Sequence, residues 1–513
     1  MPANSDRNLW PFPGLLPNRL YHYPIPSLMT PMDRHPNPSQ WPPSASRGFR
    51  NWLGKTSHLP VGENHIYVHI PLCPFVCDFC PFYKETGQQK AEALVQSIVH
   101  EIELYGQVPH LSDQRFGAVY FGGGTPTELN PEQLSRIVCA LRKSFQIEPD
   151  AEFTLEGVAK QFLRPGYFAD CVSLGFNRIS FGVQSLDLKV RREIGRAGDN
   201  VEDYPEAVAL IRSVDRGVTI NVELMMGCPT QDEESLARDL HRVIEWEPNS
   251  IDVYSFIPAV GTRFYQRLVQ QKRGEPACGT SLLQLRQLAK GTLEKAHYRQ
   301  ERAEVFIKSD RHRFAPTSPD KIGNALHTLI PIGPSAIGHI GGTAFRNVCD
   351  LTRYQEIISA RLLPIDRATT MTGGIARRRS ILYAIGDLYV PRVLLGSREK
   401  KLFRRWERQG LVTSSNNGYA LTAWGALWEN QMQLSMLTPF DLIKMLPMMG
   451  SVDEQEEMIS GDGQLAQELL AQVRMSTGFI GTARELAYRT TLKVMKYAPF
   501  IDRRGVGYLG TTG

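Results

Sequence analysis

The stretch Ile66-Tyr67-Val68-His69-Ile70-Pro71-Leu72-Cys73-Pro74-Phe75-Val76-Cys77-Asp78-Phe79-Cys80 decides how the chain is read. Its first five residues form a short run rich in β-branched and aromatic side chains, closed by a proline. That reads as a strand with a loop at its C-terminal end. The loop carries three cysteines at the spacing C-x3-C-x2-C. With eight cysteines in 513 residues, such a triplet is expected by chance only about 0.002 times. Three thiolates on one short loop can grip three irons of a cubane cluster. No fourth ligand lies nearby, so one iron is left open to bind a substrate. The rival reading is zinc, but structural zinc takes four protein ligands, and the adjacent His69 belongs to the strand. The other cysteines, at 139, 171, 228, 278 and 349, are scattered and suit buried small hydrophobes.

Outward from this loop the chain alternates β-rich runs with helical ones. Ala91–Tyr105 has apolar positions at 94, 95, 98, 99 and 102, a helical stripe. Ala118–Phe121 is the next strand, and Pro131–Ser144 a helix with proline at its start. Glu152–Leu155, Arg178–Phe181, Val218–Leu224 and Ile251–Phe256 continue the series. Strands separated by helices imply parallel βαβ units. Six of them fall short of a full eight-unit barrel, which takes ~250 residues. The expected fold is α/β: an open six-unit parallel (β/α)6 barrel with a small C-terminal winged-helix-like α+β domain. Chemistry in such barrels sits at the C-terminal ends of the strands.

The expected division is an arm over 1–60, a partial barrel over 61–300, an irregular barrel-completing segment over 301–374, the small domain over 375–435 and a helical extension over 436–513. The first 60 residues hold twelve of the 34 prolines, which excludes long helices there. Aromatic Trp10, Phe12, Tyr21 and Tyr23 favour an arm packed on the body over a free tail. In the small domain, two helical runs lead to β runs around Asn417-Gly418, a hairpin signal. Composition, 42% apolar and 22% charged with net charge +5, is that of a globular chain. No apolar run reaches membrane-spanning length, and the start lacks the pattern of a secretory signal. A cytoplasmic protein without a membrane partner is expected.

Further polar residues fall at the same strand ends. Gly122-Gly123-Gly124-Thr125-Pro126-Thr127 follows the second strand, where glycines let backbone N–H groups approach a carboxylate. Glu156 ends the third strand, Gln184 the fourth, Arg196 lies twelve residues on, and Glu223 interrupts the apolar fifth strand. Carboxylates at a barrel mouth suit an ammonium, a sulfonium and ribose hydroxyls. Each alone is more often a surface residue or a satisfied core polar group.

Together these motifs resemble the radical SAM superfamily and, within it, the HemN-like family, over roughly Asn64 to Gln433. The resemblance rests on Tyr67–Pro71, the cysteine triplet, Gly122–Thr127, Ser180-Phe181-Gly182-Val183-Gln184-Ser185, Gly227-Cys228-Pro229-Thr230-Gln231 and Ile332-Gly333-Pro334-Ser335-Ala336-Ile337-Gly338. It implies a [4Fe–4S] cluster on Cys73, Cys77 and Cys80 and two molecules of S-adenosylmethionine (SAM). The first SAM would involve Tyr67, Phe79, Gly123, Gly124, Thr125, Glu156, Gln184, Arg196 and Glu223, where the family more often has Asp. The second would lie near the glycine turn, Glu156 and Ile337. Coproporphyrinogen oxidases of the family usually follow the third cysteine with Gly-Cys. Here Pro81-Phe82-Tyr83 stands instead, which is more similar to the class C methyltransferase, anaerobic heme-degrading methyltransferase and cyclopropanase branch.

That branch transfers a SAM-derived methyl or methylene group to an sp2 carbon through a SAM methylene radical. The implied partners are a conjugated small molecule (a tetrapyrrole, heteroaromatic or polyene) and an electron donor such as flavodoxin or ferredoxin. Tyr83, Glu156, Tyr254 and His339 are the candidate general acids and bases. Alternatives are oxidative decarboxylation of the coproporphyrinogen type and heme binding or degradation, with His297, His312, His327 and His339 as possible axial ligands. A nucleic-acid face at Arg377-Arg378-Arg379, Lys400-Lys401, Arg404-Arg405 and Arg408 ranks last, because such runs are usually solvated helix faces.

Overall fold

In a computed structural model the described residues are 53 and 64–436, except 197, 260–261, 271–273, 278, 309–327 and 371–372. The proline-rich arm, the extension beyond 436, His312 and His327 lie outside them. Strands β1 (Asn64–Ile70), β2 (Arg115–Gly123), β3 (Gln146–Gly157), β4 (Arg178–Gln184), β5 (Thr219–Met226) and β6 (Ser250–Ser255) lie side by side, all parallel. Helices α1 (Ala91–Gly106), α2 (Pro131–Ser144), α3 (Tyr167–Ser173), α4 (Asp203–Val214) and α5 (Glu233–Glu245) run back between them. The expected barrel units are therefore present.

Local chemistry explains the helices. The five apolar positions read on α1 all pack against the main core, four of them fully buried. On α2 the side chain of Asn130 accepts from the Gln133 N–H at 2.9 Å, the Gln133 side chain accepts in return from the Asn130 N–H at 3.1 Å, and Pro131 takes the first helical position. That is a capping box on a proline start.

The segment after 300 is more ordered than expected. It supplies β7 (Arg299–Gln300) and β8 (Val305–Ile307) on one flank and β9 (Thr328–Ile332), β10 (Ile337–Ile340), β11 (Thr343–Asn347) and β12 (Ile365–Thr370) on the other. One twelve-stranded sheet results, in the order β12-β11-β10-β9-β1-β2-β3-β4-β5-β6-β8-β7. β9 joins β1 in parallel, pairing Tyr67 with Pro331, while β10, β11 and β12 are antiparallel additions. Helix α6 (Gly279–Lys295) precedes β7, and α7 (Leu351–Ser359) packs on α1.

A buried polar junction ties the late strands to the barrel. Glu101 of α1 is fully buried and accepts from the Gly333 N–H (2.7 Å), Asn347 Nδ2 (2.7 Å) and the Tyr354 hydroxyl (2.5 Å). One carboxylate thus joins α1, the β9–β10 turn, β11 and α7.

The C-terminal unit has α8 (Gly373–Gly386), β13 (Tyr389–Pro391), α9 (Ser397–Arg408), β14 (Val412–Ser414), β15 (Gly418–Leu421), α10 (Ala423–Leu427) and α11 (Glu429–Met436). β14 and β15 form the expected hairpin, and β13 completes a three-stranded antiparallel sheet. Phe403, Trp406 and Tyr419 make its core, and Lys400, Lys401, Arg404 and Arg408 face solvent on α9. Among the described residues no helix is long and apolar enough to cross a membrane.

Candidate functional site

Strand alternation gives the large sheet two unlike faces. Ile66, Val68, Ile70, Val119, Phe121, Phe153, Leu155, Ile179, Phe181, Ile220, Val222, Ile251 and Val253 join the core under the helices. The intervening residues point into the barrel and are largely polar. They include Tyr67, Tyr120, Glu152, Thr154, Glu156, Arg178, Ser180, Asn221, Glu223, Asp252 and Tyr254.

At the C-terminal end of β1 the chain turns into the cysteine loop. The loop is pinned where it leaves and returns: Cys73 N–H donates to Glu85 O at 3.0 Å, and Glu85 N–H to Pro71 O at 2.7 Å. The glycine turn after β2 docks on the same segment, with Gly124 N–H on Ile70 O at 2.9 Å and Thr125 N–H on Leu72 O at 2.6 Å. Gly123 has φ +103°, and a Cβ there would fall inside the His69 imidazole. Only glycine fits both demands.

The three thiols gather at this end. Thr125 Oγ1 lies 3.9 Å from Cys73 Sγ, and Cys80 N–H donates to Cys77 O at 3.3 Å. Burial, and then the neighbouring Cys80, push the Cys73 thiol up to about 12; burial also pushes Cys77 up, against the pull of Arg196. Thiols crowded where they resist carrying negative charge alone suit a cationic iron cluster. Among the described residues no three His, Cys, Asp or Glu side chains converge on one metal ion. A cubane instead takes one thiolate at each of three irons, so the donor set fits a cluster better than zinc.

Beside the thiols stands Arg196, 8% exposed. Its Nη1 donates to Cys77 Sγ at 3.5 Å and its Nη2 to Gly182 O at 2.5 Å, and its guanidinium lies 5.0 Å from the Phe75 ring centre. Across the mouth Glu156 accepts from the Tyr120 hydroxyl and, at 3.2 Å, from the Gly123 N–H. Burial raises its pKa. Tyr67 stacks on Tyr120 at 6.1 Å and touches His69 Nδ1 at 3.1 Å. Ile337 packs against this tyrosine pair. Glu223 accepts from Ser180 Oγ at 3.1 Å and is pushed up to about 8 by burial, then by Glu156 and Asp252. Gln184, at φ +70°, folds back over Gly182, where a Cβ would stand 2.9 Å from its Nε2 and 3.7 Å from Glu223 Oε2. Phe79 packs with Phe256 beside Met225 and Cys228.

Two candidate acids lie elsewhere. The Tyr83 hydroxyl donates to Glu85 and accepts the Leu351 N–H at 3.0 Å, and its ring joins the helix-side core. It clamps the loop to α7 rather than reaching the mouth. His339 pairs with Leu329 and through it with His65, four residues below His69. At ~3.3 Å per residue it lies on the barrel floor. Tyr254 faces the barrel, its hydroxyl on Asp252 Oδ2 at 3.1 Å. His297 is exposed.

Tyr120, Arg178, Asn221 and Asp252 were missed from sequence, although each is a polar residue on alternate positions of an apolar strand. Asn221 Nδ2 donates to Asp252 Oδ2 at 3.1 Å and to Ser180 Oγ at 3.0 Å. Burial tends to lower the Arg178 pKa, but the acidic groups around it, Glu152 first and then Tyr120, Asp252 and Glu223, hold it raised.

Residues 67–243 match the model of the Radical SAM superfamily. Oxygen-independent coproporphyrinogen III oxidase of Salmonella typhimurium is 28% identical over 343 residues, 65% of this chain and 74% of that protein. Anaerobilin synthase of Escherichia coli O157:H7 is 27% identical over 383 residues, 72% of this chain and 83% of that one. The solved structure of coproporphyrinogen III oxidase (HemN) from Escherichia coli superposes with TM-score 0.64 at 24% identity, covering 75% of this chain and 92% of that one. Residues 67–243 are thus a radical SAM domain, and the chain is similar over most of its length to HemN-like proteins.

Cofactors of a radical SAM enzyme are a [4Fe–4S] cluster and SAM, and the cysteine loop and mouth have the chemistry to receive them. Cys73, Cys77 and Cys80 would hold the cluster. Gly123, Glu156, Arg196 and Glu223 would offer an N–H, a guanidinium and carboxyl groups to the zwitterionic tail, ribose and sulfonium of SAM.

Proposed function

We propose that this radical SAM enzyme uses two SAM molecules and transfers a methyl or methylene group from one of them to an sp2 carbon of a conjugated acceptor. The observation that carries the reading is the acidic lining of the barrel interior. Among the inward residues of β1 to β6, Glu152, Glu156, Glu223 and Asp252 stand against the single cation Arg178. Burial raises the pKa of Glu156, Glu223 and Asp252, so an entering sulfonium or ammonium group favours their ionised form and an entering carboxylate disfavours it. Two sulfonium cofactors suit this lining, and a substrate presenting propionates to these strands does not. The stacked Tyr67–Tyr120 pair with Ile337 adds a flat apolar wall next to Glu156, suited to an adenine or a conjugated ring.

When bound, the cluster and the first SAM supply reductive sulfonium cleavage and hydrogen abstraction. The chain's own part is positional. Glu156 holds the glycine turn, Arg196 holds the cysteine loop, and the inward tyrosines exclude water from the mouth. Burial holds the phenols of Tyr67 and Tyr120 protonated, and the nearby Glu156 does so further; both remain hydrogen-bond donors. Electrons come from a flavodoxin- or ferredoxin-type donor.

The test is anaerobic incubation with SAM, dithionite and candidate acceptors, tetrapyrroles first because relatives are named coproporphyrinogen III oxidase and anaerobilin synthase. Equal yields of 5′-deoxyadenosine and S-adenosylhomocysteine, with the acceptor heavier by one carbon, are expected. 5′-Deoxyadenosine with carbon dioxide and no S-adenosylhomocysteine would replace this reading with oxidative decarboxylation.

A further inference from the structure

Asp199 sits in the loop between the short helix Leu188–Glu193 and α4, its side chain 3% exposed. It is the common acceptor of three buried donors. Arg191 Nη2 and the Tyr204 hydroxyl donate to it, and Arg196 Nε lies 3.2 Å from its Oδ1. Arg191 is fixed in turn, its Nη1 donating to Val183 O at 2.9 Å and Ser185 O at 2.8 Å. Tyr204 is wedged edge-on against Phe181 and stacked on Trp246 at 6.1 Å. Asp199 is therefore anchored to the end of β4 and to α4 at once.

The consequence falls on Arg196. A guanidinium has a planar fork of donors, so fixing two of its edges fixes the third. Asp199 holds the Nε–Nη2 side, its Oδ1 3.2 Å from Nε as an ion pair and its Oδ2 accepting from Nη2 at 3.3 Å, while Gly182 O also accepts from Nη2, which leaves Nη1 aimed at Cys77 Sγ. We propose that Asp199 is a positioning residue: it aims the Arg196 charge at one cluster thiolate and so sets both the cluster's reduction potential and the affinity for SAM. Hydrogen bonds and positive charge at a cluster sulfur stabilise the reduced, more negative state and raise its potential. The inference rests on the cluster and SAM, not on alkyl transfer, and needs no acceptor for its test.

The sign of one measurement separates positioning from plain charge. Removing the Asp199 charge makes the surroundings of the cluster more positive, which by itself drives the potential upward. Release of the Arg196 guanidinium drives it downward. In reconstituted full-length enzyme, Asp199→Asn is expected to shift the midpoint potential negative by EPR-monitored titration, in the direction of Arg196→Gln, and to weaken SAM binding by roughly 10-fold or more, as loss of outer-shell partners does. Tyr204→Phe keeps every charge and both ring contacts, and is expected to give a smaller negative shift. A positive or null shift in Asp199→Asn with unchanged SAM affinity overturns the proposal. If Asp199→Asn does not load iron, Tyr204→Phe decides by the same sign. Failure of the wild-type chain to bind a cluster is a different result, and refutes the cofactor assignment instead.

Discussion

Gly123 shows how tightly single residues are held at this site. Its backbone conformation excludes a side chain, and the space a Cβ would need belongs to His69. Gly123→Ala should lower the melting temperature, costing more than ~1 kcal/mol, and should reduce iron content after reconstitution because the turn docks on the cysteine loop. A neighbouring residue is predicted to be dispensable for turnover. Tyr83→Phe loses a hydroxyl that serves Glu85 and the start of α7, so about 0.5–1.5 kcal/mol of stability should go, measured by denaturant titration. 5′-Deoxyadenosine formation should stay within a few-fold of wild type. Loss of turnover in a folded, iron-loaded variant would restore Tyr83 as a general acid.

Elements with a clear period were legible in the sequence. The six central strands and the helices between them follow apolar alternation and helical stripes, and α2 was readable from Pro131. Its capping box gives a local test: Asn130→Ala should destabilise by ~1 kcal/mol in thermal melts and leave SAM binding unchanged, since α2 lies on the helix side. The late strands were not legible. β10 has four residues and β11 five, each next to Gly or Pro, and β9 contains Pro331. So short a run states its partner only once the tertiary fold brings one. The cysteine loop, glycine turn and Glu156 could be read from spacing and from a family resemblance. Tyr120, Arg178 and Asp252 could have been found by reading polar residues on every second position of apolar strands. Asp199 could not, because nothing in a loop sequence says which arginines will converge on it.

At the scale of the molecule, the Glu101 junction makes stability depend on pH. Burial raises this carboxyl from its ordinary 4.5 to about 8, against the pull of Tyr354, Gly333 and Asn347. Between those values the folded chain holds a proton that the unfolded chain has lost. Stability from this group is therefore full below the ordinary value, falls as pH rises through the window, and is lost above about 8. Glu101→Gln removes the titration. Its melting temperature should start lower, through a weakened junction, yet fall less than that of wild type between about pH 6 and pH 8.5. An equal slope in both proteins would mean that Glu101 does not titrate in this range.

The pairing of β1 with both β2 and β9 has a temporal side. During synthesis the strand that leads into the cysteines meets β2 early, but its other edge waits for about 260 further residues. At ribosomal rates of roughly 5–20 residues per second, that edge stays open for on the order of ten seconds to a minute. An uncovered parallel edge is a template for wrong pairing. The nascent chain therefore passes through a long interval in which its cysteine loop is made but its seam is unsealed.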